Sequence, residues 1–255
     1  MPDQRLHPRA REFAKAASVY EGARPEFPAA AIEWLVERLQ ITSATRLLDL
    51  AAGTGRSTRP LYEHTREIVA VEPVAEMREV LQASLPGIEV LDGTAERIPL
   101  PDASVAAVVV AQAFHWFDPL PALAEISRVL EPDGRLGLAW HSPDRSDPLQ
   151  RAFRAIVEQH RQGAPIHLAH DADHYVGEEA PLTRIAATEI RDVHVYDADR
   201  LVALARSTSH FAALDEARQA LGEQQIRALV GPSGSVDLPY TVELSAYRQA
   251  ATTSH

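Results

Sequence analysis

A doubly wound α/β sheet is the fold class this sequence predicts, and three observations predict it. Arg46 to Glu72, RLLDLAAGTGRSTRPLYEHTREIVAVE, reads as strand, glycine-rich turn, helix and second strand, a βαβ unit suited to a nucleoside-like ligand. Apolar runs then alternate with amphipathic helices as far as Trp140. Val105 to Ala111 is a continuous β-branched and alanine run, as expected of a strand covered on both faces.

In chain order, residues 1–28 are polar and punctuated by proline, with an irregular aromatic stretch from Tyr20 to Pro28. Ala29 to Gln40 places Ile32, Leu35, Val36 and Leu39 on one helical face. Leu47, Leu48 and Leu50 form the first strand, Ala51 to Gly55 the turn, and Ile68 to Val71 the second strand, closed by Glu72. A helix from Ala75 to Leu85 leads to a short strand, Ile88 to Leu91, and a polar segment from Asp92 to Glu96. After the Val105 strand, Asp118 and Pro119 start a helix by the cap and first-turn rules. Pro132-Asp133-Gly134 turns into a fifth strand, Arg135 to Trp140. Beyond His141 the rhythm weakens. A helix begins at Asp147-Pro148, residues 161–183 are polar and His-rich, and Ile185 to Tyr196 has strand character. Helices over Asp199 to Arg206 and Leu214 to Val230 precede a final strand, Val236 to Tyr247. The expected divisions are 1–40, 41–145, 146–183 and 184–255, the last completing the core sheet.

The 255 residues suffice for a sizeable core, and 45% hydrophobic with 24% charged residues is an ordinary globular composition. A formal net charge of −11, with scattered arginines, disfavours a nucleic-acid partner. No cysteine is present, which excludes disulfides, a thiol nucleophile and cysteine-ligated zinc. The first residues lack a signal peptide's apolar core, and no window approaches the roughly 18 apolar residues of a membrane span. The expectation is a cytoplasmic protein without a membrane partner.

Gly53 and Gly55 suit a turn where backbone closes on a ligand, although glycines alone also fit a tight connection that binds nothing. A dinucleotide fingerprint wants a third glycine where Thr58 stands, which counts against NAD or FAD. Glu72 suits a ribose diol in either case. Asp49, two residues before the turn, offers a carboxylate to a cationic ligand. S-adenosylmethionine (SAM), with its sulfonium and ammonium, is such a ligand.

Asp49-Leu-Ala51-Ala-Gly53-Thr-Gly55 resembles the first motif of class I SAM-dependent methyltransferases, D/E-x-G-x-G-x-G, with Ala51 in place of its first glycine. Asp92 to Ser104 resembles the segment between strands three and four in the small-molecule branch, with Thr94 where an Asp is usual. Gln112 to Phe117, Tyr20-x-x-x-Arg24-Pro25 and Leu238-Pro239-Tyr240 resemble motifs of trans-aconitate methyltransferase relatives. The likeness spans roughly residues 15–250.

The resemblance implies a Rossmann-like, doubly wound sheet of seven strands, one of the closing pair antiparallel, with a small helical cap at 146–183 over the acceptor. It implies SAM as cofactor, S-adenosylhomocysteine as product and a small-molecule methyl acceptor, as in secondary metabolism. Asp49, Ala51, Gly53 and Gly55 would line the methionine and ribose; Glu72 would take the ribose hydroxyls, with Pro73 near the adenine. Thr94, Ala95 and Glu96 would surround the adenine edge, and Ala111 and Gln112 would lie by the methyl donor. Tyr20 and Arg24 belong to a lid over the cofactor, Arg24 meeting a carboxylate or else forming a surface ion pair.

His115, following the fourth strand, is the candidate general base, poised near neutral pH, and structural packing is its other reading. Phe114, His115 and Trp116 are the candidate acceptor-binding residues. His167, His170, Asp171, Asp173 and His174 have ligand-type side chains without one-face spacing, so a solvated loop is expected and no metal. Two other classes fit parts of the pattern. One is a SAM-binding cyclase or regulator that transfers no methyl group; the other is an NAD(P)-dependent oxidoreductase.

Overall fold

The computed structural model describes residues 25–159, 176 and 182–249. One seven-stranded sheet organises them, in the order β3-β2-β1-β4-β5-β7-β6. β1 (Leu47–Leu50), β2 (Ile68–Val71), β3 (Glu89–Leu91), β4 (Val105–Ala111) and β5 (Leu130–Pro143) are mutually parallel. β7 (Val236–Gln249) runs antiparallel between β5 and β6 (Leu182–Tyr196). The expected seven strands with one antiparallel member are therefore present. β5 extends past the expected Arg135–Trp140 at both ends, because Leu130 pairs with Val105 of β4 and residues through Pro143 continue the ladder with β7.

Both faces of the central strands are covered, which is why β1, β2 and most of β4 are apolar without alternation. On one face Leu48, Leu50, Val108, Val110, Leu136, Leu138 and Trp140 pack with α4 (Pro119–Val129). On the other, Leu47, Ala70, Val109 and Ala139 pack with α1 (Ala29–Arg38), the short α2 (Thr58–Tyr62) and α3 (Ala75–Ser84). The side-chain period of two puts Asp49 on this second face, the face of the helix that follows the turn. Gly137 lets β5 lie close to α1: a Cβ there would stand 2.9 Å from Leu35 Cδ2 and 2.8 Å from Leu39 Cδ1.

A third cluster joins α5 (Pro148–Glu158), α6 (Ala198–Arg206), α7 (Ser209–Ala212) and α8 (Glu216–Val230) to the β6–β7 end of the sheet. Phe153 and Val157 of α5 pack there with Tyr196, Leu201 and Ile226, and the buried Gln150 amide donates to Pro239 O at 2.8 Å. The described part of the 146–183 segment is thus fastened to the C-terminal helices. Its His-rich stretch lies outside the described residues, as do Tyr20 and Arg24. No helix among the described residues is long and apolar enough to cross a membrane.

Candidate active site at the carboxyl edge of the sheet

The parallel strands all deliver their carboxyl ends to one edge, where open α/β sheets bind ligands. The chain makes its sharpest backbone excursions there. Ala51, Gly53 and Gly55 have φ of 57°, 58° and 90°, so the turn after β1 is left-handed at alternate residues. Ala51 occupies a position where glycine would be unstrained, at a cost of about 1–2 kcal/mol. Gln112, at the end of β4, is also left-handed, with φ of 60°. Two strained non-glycine residues therefore flank the edge where β1 and β4 end side by side.

Beneath the turn, Asp49 is fully buried, and its Oδ2 accepts from the Ser57 hydroxyl at 2.8 Å and the Thr58 hydroxyl at 2.6 Å. The residue standing where a third glycine was sought is thus a hydrogen-bond donor to the motif's own acid. Asp49 Oδ1 is buried with no hydrogen-bond partner. Burial pushes the Asp49 carboxyl up to about 6 against the pull of the two hydroxyls. Glu72, also buried, accepts from Gly53 N with Oε2 and from Val74 N with Oε1, both at 2.9 Å. Burial raises it to about 7, although both backbone donors and Arg78 favour its ionised form. Each of its oxygens retains a second lone pair for a diol. Arg78 ties the ends of β2 and β3 together by donating to Glu72 O at 2.7 Å and Asp92 Oδ1 at 3.1 Å.

Pro73 is half-buried beside Glu72. Thr94 closes a small turn with Arg97. Ala95 is buried in the core, and the Glu96 carboxylate accepts from Asp118 N at 2.9 Å. Arg128 anchors the same segment through the carbonyls of Ile98 and Leu100, at 2.9 and 2.8 Å.

On the other side of the turn, Ala111 is half-buried, and Gln112 donates from Nε2 to His141 O at 2.9 Å. Phe114, His115 and Trp116 form one 3-10 turn. Phe114 is 1% exposed and packs in the core against Phe117, with ring centroids 5.6 Å apart. His115 and Trp116 are half-buried, their rings 4.7 Å apart, and these two remain at the edge.

Sequence reasoning missed two features. The Ser57 and Thr58 hydroxyls were readable only as a departure from a glycine pattern. A group beyond Gln112 was missed altogether: His141 of β5 with Asp192 and His194 of β6. The signal available was Asp192-x-His194, two polar residues at the spacing that shares a strand face.

An orphaned acid oxygen, a second buried acid with lone pairs to spare and a left-handed turn between them fit a ligand carrying a cation and a ribose. Residues 48–138 match a family described as methyltransferase domain. An uncharacterized methyltransferase of Mycobacterium bovis is 47% identical over 154 residues, a match spanning 60% of this chain and 61% of the relative. A putative type II methyltransferase structure from Anaeromyxobacter dehalogenans superposes with a TM-score of 0.65 at 24% identity, covering 91% of this chain and 99% of that one. The [4+2]-cyclase SpnF shares the fold at a TM-score of 0.58 and 16% identity, covering 94% of each chain. Residues 48–138 thus resemble a methyltransferase domain, the chain spans about three fifths of the length of the relatives it matches, and its fold is that of the solved methyltransferase structures.

Proposed function

We propose that the protein transfers the methyl group of SAM to a small-molecule acceptor, releasing S-adenosylhomocysteine. The observation that carries this reading is the pair of buried carboxyls, Asp49 and Glu72, on either side of the left-handed turn. In the proposal Glu72 holds the ribose hydroxyls, Asp49 favours the cationic methionine end, and the backbone from Thr94 to Glu96 borders the adenine. Bound SAM supplies an activated methyl group on a sulfonium, open to in-line displacement. The chain's own task is alignment and exclusion of water, where effective molarities reach the order of 10⁵ M or more. Tyr20 and Arg24 are proposed to close over the cofactor. A small-molecule acceptor and a cytoplasmic setting belong to the same proposal, as does the division of the chain at residues 40, 145 and 183.

Calorimetric titration with SAM, S-adenosylhomocysteine and NADH tests the cofactor. SAM and its product are expected to bind below millimolar concentration and NADH not to bind. Absence of both adenosyl ligands would remove the reading.

His115 is proposed to take a proton from the acceptor. His115→Ala is then expected to slow the chemical step on a protic acceptor by about 10²- to 10⁴-fold while leaving SAM affinity unchanged. An unaltered single-turnover rate would reassign His115 to packing with Trp116.

A second reading, SAM binding without methyl transfer, is favoured by the fold shared with the cyclase. Release of S-adenosylhomocysteine in the presence of an acceptor separates the two. The oxidoreductase reading is weakened by Thr58, whose side chain is committed to Asp49.

A further inference from the structure

Past Gln112 the carboxyl edge changes character from acidic to histidine-rich. His141 Nε2 lies 3.1 Å from Asp192 Oδ2, and His194 Nε2 lies 2.6 Å from the same oxygen. One donor atom from each of the three residues falls within 4.8 Å of the others. From this convergence we propose that His141, Asp192 and His194 form a mononuclear site for a divalent transition metal of the zinc class.

Four observations support it. First, the His141 side chain is 2% exposed, and its Nε2 converges on the same Asp192 oxygen that His194 Nε2 meets. Second, Asp192 Oδ1 accepts from Val193 N at 3.0 Å, which turns Oδ2 toward both imidazoles. Metal-ligating carboxylates are commonly fixed by such an outer hydrogen bond. Third, the donors come from rigid strands. Asp192 and His194 share one face of β6, and β7 registers between them and β5, with His141 opposite Val242 and Asp192 opposite Tyr240. Fourth, aromatic rings wall the group. Tyr240 lies 4.8 Å from the His141 ring and 5.6 Å from that of His194, and Phe27 stacks on His141 at 5.8 Å.

Two imidazoles and one carboxylate are the donor set of open zinc sites, which keep a position for an oxygen ligand. Calcium and magnesium prefer all-oxygen sets. Asp192 and His194 retain 15% and 17% of their side-chain exposure, so the group is reachable from solvent. Arg56 is the opposing charge, since its guanidinium acts unfavourably on a cation at His141. The Asp192 carboxylate offsets it. The proposal is independent of methyl transfer.

The test uses the tag-free full chain, stripped with a chelator and dialysed against Zn2+, with bound metal counted by mass spectrometry. Co2+ absorption in the visible serves as a second readout of the ligand set. One tightly held Zn2+ per chain is expected. Asp192→Asn and His194→Gln, both partly exposed and conservative, are expected to weaken it by more than the roughly 10- to 100-fold lost when only an outer partner is removed. A His167→Ala, His170→Ala, His174→Ala triple variant is expected to keep it. Thermal melts check that each variant is folded. No bound Zn2+ in the parent chain would overturn the assignment. So would binding that survives both cluster variants, or loss confined to the triple variant.

Discussion

Replacing Glu72 by alanine is expected to weaken SAM binding by between about 10²- and 10⁴-fold and to destabilise the fold by about 2 to 4 kcal/mol. The binding loss follows from removing a charged acceptor of two hydroxyl bonds, each contributing about 1.5–3 kcal/mol. The stability loss follows from Gly53 N and Val74 N, which both donate to this carboxylate. Each orphaned N–H costs about 1–3 kcal/mol, offset in part by relief of a desolvated acid. Calorimetry with S-adenosylhomocysteine and denaturant titration measure the two losses separately. Glu72→Gln keeps one acceptor oxygen and is expected to recover part of the stability without recovering the affinity. Full affinity in the alanine variant would place the ribose elsewhere.

The second large effect is in pH. Asp49 and Glu72 both have folded-state values above their usual ones, about 6 against 3.8 and about 7 against 4.5. The folded chain therefore holds these protons longer than the unfolded chain. Their contribution to stability is complete below about pH 4 and is lost as pH rises through the folded values, by up to about 3 kcal/mol for each carboxyl. Asp49→Asn retains an oxygen for Ser57 and Thr58 but cannot ionise. The stability of the parent chain minus that of this variant is expected to fall between about pH 4 and pH 6 and to level off above it. A cationic ligand reverses the sign. It favours the ionised acids, so SAM should bind more tightly as pH rises across the same window. A pH-independent difference between parent and variant would show that Asp49 does not titrate in this range.

The legible parts of this fold were those whose physics is local. β1, β2 and β4 are short apolar runs because both their faces are covered, and such runs need no knowledge of the partner strand. The glycine turn was legible because left-handed backbone restricts residue choice, even with Ala51 in one left-handed position. The direction of Phe114 was not legible, because sequence gives no direction to a side chain in a short irregular turn; it is buried in the core. Thr58 was readable as a missing glycine but not as a donor to Asp49, since the two are nine positions apart across the turn. The histidine group was least legible. His141 and His194 meet only through the insertion of β7 between β5 and β6, a pairing that no local pattern announces.

The placement of β7 also sets an order of assembly during synthesis. β1 to β5, with Asp49, Glu72 and Gln112, are complete by residue 143, and their pairing uses neighbouring strands of the same stretch. Among the described residues, β6 pairs within this sheet only with β7, which follows it by some forty residues in the chain. Until β7 is made, the β6 backbone lacks the ladder that β7 supplies. The acidic half of the edge can form while the chain is still being made. The histidine half waits for β7, a long-range closure of the slow-folding kind.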